Sequence, residues 1–370
     1  MTSGRTARRM RLLLGATLVS TTTVVLAAQA PQAPTTPVAG TPAGAPTGAR
    51  GQGGAPGASR GPATPAPSPL VDGDFTIRPP WSSAPETIWD NNIPHGRIER
   101  FTMKSADSKI YKGVPGRGAA PGAPAVPYER PVAVYIPAQY VAGTAAPFIV
   151  VQDGFNAKYH QIVPTVLDKL IADKKVPVML AVLVQHGGGD GPGSERGLEY
   201  DTVSEVYSQF IETEVLPRIE KDYKVKFTTD PEGRATMGGS SGAAAAFTMA
   251  WFHPERYHRV LSYSGTFVGQ ARDATYPRGA WEYHATLIPN SEKKPIRVWL
   301  EVGEFDNGIT RDEASAGNWL LANQHMAAVL KAKGYSYQYV YAEGARHTDM
   351  NVILQTLPEA LQYIWQGYPR

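Results

Sequence analysis

The chain has no cysteine among its 370 residues. That excludes disulfides, thiolate metal sites and a lipid-modified N-terminal cysteine. Acidic residues are missing from positions 1–69, where six arginines stand. With that stretch set aside, 30 of the 36 basic residues face 33 acidic ones, so the remainder carries −3 and the whole-chain +3 is no sign of nucleic-acid binding. Long hydrophobic runs are also scarce. The one at the head of the chain, "LLLGATLVSTTTVVLAA" (12–28), follows the basic "RTARRMR" (5–11) and precedes small residues at Ala28 and Ala30. It holds four Thr and one Ser and barely reaches spanning length, so residues 1–30 read as a secretory signal peptide rather than an anchor. No stable membrane insertion is expected once it is cleaved. Arg8-Arg9 leaves the twin-arginine and general export routes both open. An exported chain without disulfides suits a bacterial periplasm or exterior.

Residues 31–69 are almost entirely Pro, Ala, Gly, Thr and Ser. Such a composition cannot bury enough apolar surface to offset the entropy of ordering, so a disordered linker is expected there and a folded domain over 70–370. Within that domain the expected strands are 97–103, 130–137, 148–153, 178–184, 234–239, 259–265, 297–304 and 337–344. Several are apolar at consecutive positions, as strands buried on both faces are. A helix over 202–223 is expected to open on a Thr202/Glu205 capping box and to kink at Pro217, and another over 315–334 to end on Gly334. The alternation predicts an α/β fold: a mostly parallel central sheet, helices on both faces, and antiparallel N-terminal edge strands, because no helix separates the first ones. Residues 104–129, rich in Gly and Pro, read as a long loop.

Within "RATMGGSSGAAAAFTMAWF" the pattern Gly238-Gly239-Ser240-Ser241-Gly242 follows a strand and precedes a helix-forming run. This is the context of a nucleophile elbow, the strained turn that exposes a serine in α/β-hydrolases. A second match, "GASRG" (57–61), lies in the linker with neither neighbour. The elbow geometry exposes Ser240, while the N–H of Ser241 at the helix start is placed to stabilise an oxyanion. A serine at its ordinary pKa needs a base, and the base needs an orienting acid, in the order Ser, Asp or Glu, His. Of the five histidines downstream, His253 and His258 flank a loop on the far side of the elbow helix, His284 lies in an irregular segment and His325 in a helix; only His347 directly follows the last strand. The preceding strand offers Glu304 and Asp306, and Asp306 lies beyond its end.

Taken together, "VVQDGFN" (150–156), "RGLEYDTVSEVYSQFIETEVLPRIEKDY" (196–223), the elbow segment 238–260, "VGEFDNG" (302–308) and "EGARH" (343–347) resemble the enterochelin-esterase-like branch of the esterase D superfamily over about residues 90–370. The resemblance implies a Ser240, Asp306, His347 triad, an oxyanion hole from the N–H groups of Phe155 and Ser241, and Arg196 and Glu199 at the rim of the site. A structural ion pair is the alternative role for that last couple. Two departures stand out: Ala243 replaces a common second glycine, and residues 70–130 are too short for a separate N-terminal domain.

The expected activity is that of an exported serine carboxylesterase acting on a small-molecule or polysaccharide-linked ester. An acyltransferase to a sugar hydroxyl on the same fold, and a catalytically silent glycan-binding scaffold, are the alternatives. "QHGGGDGPGSERG" (185–197) has no metal-ligand spacing and reads as a flexible substrate-side loop. No metal and no cofactor are expected.

Overall fold

The computed structural model describes residues 62–370 apart from 117, 157 and 192. The expected signal peptide, the linker up to residue 61 and the 57–61 motif lie outside the described residues. The strands are β1 (Gly73–Ile77), β2 (Arg97–Lys104), β3 (Glu129–Ile136), β4 (Ala145–Ala146), β5 (Phe148–Gln152), β6 (Leu180–Val184), β7 (Lys226–Phe227), β8 (Arg234–Gly239), β9 (Arg259–Tyr263), β10 (Arg297–Phe305) and β11 (Ser336–Arg346). The α-helices are α1 (Ile162–Ala172), α2 (Glu195–Tyr200), α3 (Val206–Phe210), α4 (Leu216–Tyr223), α5 (Ser241–Phe252), α6 (Ile288–Asn290), α7 (Trp319–Ala332) and α8 (Met350–Ile364). Nine strands form one sheet in the order β1-β11-β10-β9-β8-β5-β6-β3-β2. The β2–β3 and β3–β6 pairs are antiparallel, and the other pairs in this sheet are parallel.

Helices on both faces explain the unbroken apolar runs. In β5, Phe148 and Val150 pack into the core shared with α3, α5 and α7, while Ile149 and Val151 pack into the one shared with α1 and α8. The β10 side chains divide the same way: Val298, Leu300 and Val302 face the first core and Trp299 the second. Parallel strands running through this sandwich deliver their carboxyl ends, and the loops that follow, to one edge of the sheet.

Four expectations need correction. The folded body begins earlier than residue 70: the buried Gln338 amide donates to the carbonyls of Ser68 (2.7 Å) and Val71 (2.5 Å), and Gln355 donates to that of Thr64 (2.9 Å). A buried amide must find partners, and this stretch of backbone supplies them. Second, β1 is a strand the pattern did not reveal, since only Ile77 of "GDFTI" is buried; it joins the far edge, parallel to β11. Third, the Thr202/Glu205 capping box does not form. The helix starts at Val206, and Glu205, already in αR conformation, makes no capping bond. Fourth, Pro217 widens the helix upstream of itself. A π turn at Ile211–Val215 precedes it, and another at Tyr283–Leu287 precedes Pro289 with the same spacing. The looser turn accommodates the donor that each proline lacks.

Candidate active site

β8 is buried along its whole length and ends at Gly239; α5 begins two residues later at Ser241. Between them Ser240 holds φ 58° and ψ −127°. The reversal is so tight that a Cβ on Gly238 would lie 2.4 Å from the Gly242 carbonyl carbon, and one on Gly239 2.3 Å from Tyr159 Oη. Backbone bonds hold the serine in place. Its N–H donates to Tyr263 O at 2.9 Å, and its carbonyl accepts from Ala243 (3.0 Å), Ala244 (3.2 Å) and Thr266 (3.1 Å).

The other two residues come from neighbouring strands. β10 ends at Phe305, Asp306 is the first residue beyond it, and His347 is the first beyond β11. His347 Nδ1 lies 2.5 Å from Asp306 Oδ1, with the Asp306 side chain fully buried and that of His347 at 22% exposure. Among the described residues the other ring nitrogen, Nε2, has no hydrogen-bond partner. Glu304 instead accepts the Gly344 N–H at 2.7 Å and braces the β10–β11 connection. Among the described residues Ser240 Oγ has no hydrogen bond to His347; it meets Thr266 Oγ1 at 3.3 Å. Thr266 Oγ1 also accepts the Trp319 indole N–H at 3.2 Å, and the Trp319 ring stands edge-on to His347 with centroids 6.2 Å apart. Catalytic hydrogen bonds commonly tighten only once substrate is bound.

The Esterase family model matches residues 123–356, well over half of the chain. This protein belongs to the esterase family. No curated protein sequence matches it. Among solved structures, it resembles the enterobactin esterase of Shigella flexneri, with 18% identity, a TM-score of 0.52, and coverage of 74% of this chain and 62% of that one. The chain therefore spans only about three fifths of that relative. A ferulic acid esterase matches at 18% identity and TM-score 0.51 over 73% of this chain and 99% of the other. The CE1 ferulic acid esterase of Anaeromyces mucronatus matches at 14% and 0.52 over 77% and 96%. The chain has the α/β-hydrolase fold of these neighbours. The enterochelin-esterase-like resemblance of its sequence stands.

The remaining expected residues separate. Phe155 follows a turn in which Asp153 takes φ 53° and Gly154 donates to Val184 O at 3.1 Å. A Cβ on Gly154 would lie 2.5 Å from Leu183 Cβ, and the Phe155 ring stacks on His160 at 4.7 Å. Ser241, in the first turn of α5, has its N–H outside the intrahelical ladder. Arg196 binds Asp153 at 2.7 Å and Asp190 at 2.9 Å, tying the loop before α2 to the Phe155 turn. Glu199 is no rim residue. Its side chain is fully buried and pairs with Arg130, one bond being 2.7 Å, while both carboxylate oxygens also accept the Gly187 N–H. Arg196 and Glu199 thus do not pair with each other: the Glu199 partner comes from β3, which the sequence did not indicate.

The glycine-rich segment expected to face substrate does line a space. A cavity of about 550 Å³ lies between it and the 114–128 loop, walled by Val114, Val126, Tyr128, Gly188 and Glu195, without any of Ser240, Asp306 or His347. The other histidines sit elsewhere: His253 on Glu255, His258 on Glu232, and His284 in the core, where burial first and His325 second depress its pKa to about 3. On β10, burial and then Asp306 push the Glu301 carboxyl well above its ordinary range. Among the described residues no group of His, Cys, Asp and Glu is arranged to hold a metal ion, and no helix is long and apolar enough to cross a membrane. Thr266 and Trp319, which approach Ser240 and His347, were missed by sequence reasoning because nothing in their local pattern marks them.

Proposed function

We propose that this esterase is an exported carboxylesterase working through Ser240, His347 and Asp306. Ser240 Oγ attacks the ester carbonyl as its proton passes to His347 Nε2, and the tetrahedral oxyanion is held by the N–H groups of Phe155 and Ser241. Collapse expels the alcohol, which takes that proton, and leaves an acyl-serine. Water, deprotonated by His347, then releases the acid and restores the serine. Asp306 keeps the imidazole in the tautomer with Nδ1–H and stabilises its positive form. The observation that carries this reading is the 2.5 Å contact of His347 with a buried Asp306 at the ends of β11 and β10, on the same edge of the sheet as a serine held at φ 58° after β8.

In this proposal residues 1–30 direct export and the stretch that follows tethers the esterase domain. The substrate is a small ester, free or linked to a polysaccharide. The test is hydrolysis of p-nitrophenyl acetate and active-site labelling by a fluorophosphonate, each beside Ser240→Ala. Loss of a triad serine typically lowers turnover about a million-fold. Full activity in the alanine variant would remove Ser240 from the mechanism, and failure of the native protein to label or turn over would favour a silent scaffold.

A further inference from the structure

The residue after the proposed base is held in an unusual way. Thr348 has φ 46°, in the left-handed region, where a β-branched side chain is a true outlier. Strain of this kind persists only when the surroundings over-determine it. Here they do, from two sides. The Thr348 N–H donates to Ser264 Oγ at 2.8 Å, and Lys158 Nζ donates to both the Thr348 carbonyl and its hydroxyl. Thr348 is itself 9% exposed, and its Cγ2 would lie 3.1 Å from a Cβ on Gly239, next to the elbow serine. Lys158 comes from the loop that carries Phe155, so one ammonium joins the loop of the proposed oxyanion donor to the loop of the proposed base.

Other roles for this lysine fit less well. It is only part-exposed, with burial lowering its pKa, so it is not a solvated surface charge. Its donors are turned to backbone and hydroxyl of a single residue rather than to a carboxylate, so it is not an ordinary ion pair. Burial is the largest influence on its pKa and lowers it, while Asp349, Glu301 and Asp306 act in the opposite direction.

We infer that Lys158 is a positioning residue for ester hydrolysis: by clamping Thr348 in its left-handed conformation it sets the place of His347 relative to Ser240. This rests on the triad reading above. Displacing a catalytic group by about 1 Å can lower turnover about a hundredfold. Lys158→Met keeps the aliphatic stem and removes the donors. With p-nitrophenyl acetate it should lower kcat by roughly 10–100-fold while KM changes little, since substrate contacts are untouched. Thr348→Gly supplies the discriminating arm, because glycine adopts φ 46° without strain. In that background Lys158→Met should add less than about threefold, a strongly non-additive cycle. Thermal denaturation of each variant accompanies the kinetics; if Lys158→Met does not fold, Lys158→Gln, which retains one donor pair, is run through the same cycle.

A kcat within about twofold of native for the lysine variant, or losses that multiply in the double variant, would overturn the inference. Ser240→Ala in the same assay keeps the two readings apart. Activity surviving that change refutes the triad itself, whereas an inactive alanine variant beside a fully active Lys158→Met refutes only the clamp.

Discussion

Ser240 is predicted to trade stability for reactivity, and two substitutions separate the terms. At φ 58° and ψ −127° the backbone is in a region comfortable only for glycine. Ser240→Ala removes Oγ but keeps the Cβ that causes the strain; Ser240→Gly removes both. A non-glycine residue held in such a region costs on the order of 1–3 kcal/mol. Glycine returns roughly 0.5–1 kcal/mol of that through its extra freedom in the unfolded chain. The glycine variant should therefore be more stable than the alanine variant by about 1 kcal/mol, or roughly 2 °C in Tm for a domain of this size. Both lack the nucleophile, so differences in bound ester do not enter. Side-by-side calorimetric and urea unfolding give the comparison. The backbone bonds from Tyr263, Ala243, Ala244 and Thr266 are the same in both variants, which isolates the conformational term. A glycine variant melting at or below the alanine variant would refute the claim that the elbow is strained.

Asp306→Asn should lower turnover by roughly ten-thousand-fold, the loss seen when a triad aspartate is so changed. Glu304→Gln, which keeps an acceptor for the Gly344 N–H, should stay near native; the reverse pattern in kcat would move the acid onto the strand end. His284 is buried with its pKa lowered from 6.5 to about 3, so folding favours its neutral form. Its contribution is full above pH 6.5 and is lost as pH falls toward 3. By pH 5 that amounts to about 2 kcal/mol. Urea unfolding at pH 7 and 5 should show a smaller acid loss in His284→Gln; an equal loss would put the acid sensitivity elsewhere. Gly238→Ala drives a Cβ to 2.4 Å from the Gly242 backbone, and the overpacking should cost at least about 1–3 kcal/mol, visible as a drop in Tm. Native thermal stability in that variant would mean the strand and helix can separate freely.

The sheet was legible because its strands are buried on both faces. β5, β6, β8 and β9 show consecutive apolar residues, and each begins and ends within about two residues of the pattern. β1 escaped because a five-residue edge strand with one buried side chain has no such signature. The candidate site was legible where chemistry and chain order coincide: Ser240 lies in a glycine-bracketed turn, and His347 and Asp306 each follow a strand. Contacts set by tertiary packing were not. Glu199 looked like a partner of Arg196 three residues away, yet it pairs with Arg130, 69 positions distant in sequence. Trp319 likewise reads as one more apolar residue at a helix start. Only the fold shows its indole N–H on the threonine that touches Ser240.

The distribution of strained residues links the fold to the proposed chemistry. Among the described residues eight non-glycine positions have positive φ. Lys174 and Lys224 close helices, Ala316 closes a short 3-10 turn, and Ala271 lies in the loop after β9. The other four are Asp153, Ser240, Ser264 and Thr348, which follow the carboxyl ends of β5, β8, β9 and β11. All four face the same end of the sheet, and they are bonded to one another's neighbourhoods: Ser264 receives the Thr348 N–H, Thr266 donates to the Ser240 carbonyl, and Arg196 anchors Asp153. A strand that leaves the sheet through a left-handed residue turns at once, so its next side chain or N–H points across the edge instead of continuing outward. Three of these turns adjoin groups of the proposed mechanism: Ser240 itself, Phe155 two residues after Asp153, and His347 immediately before Thr348. Glycine would allow each turn at no strain, but it would also let each turn open. Non-glycine residues, held by specific partners, store strain and fix direction, which is the preorganisation that oxyanion stabilisation requires.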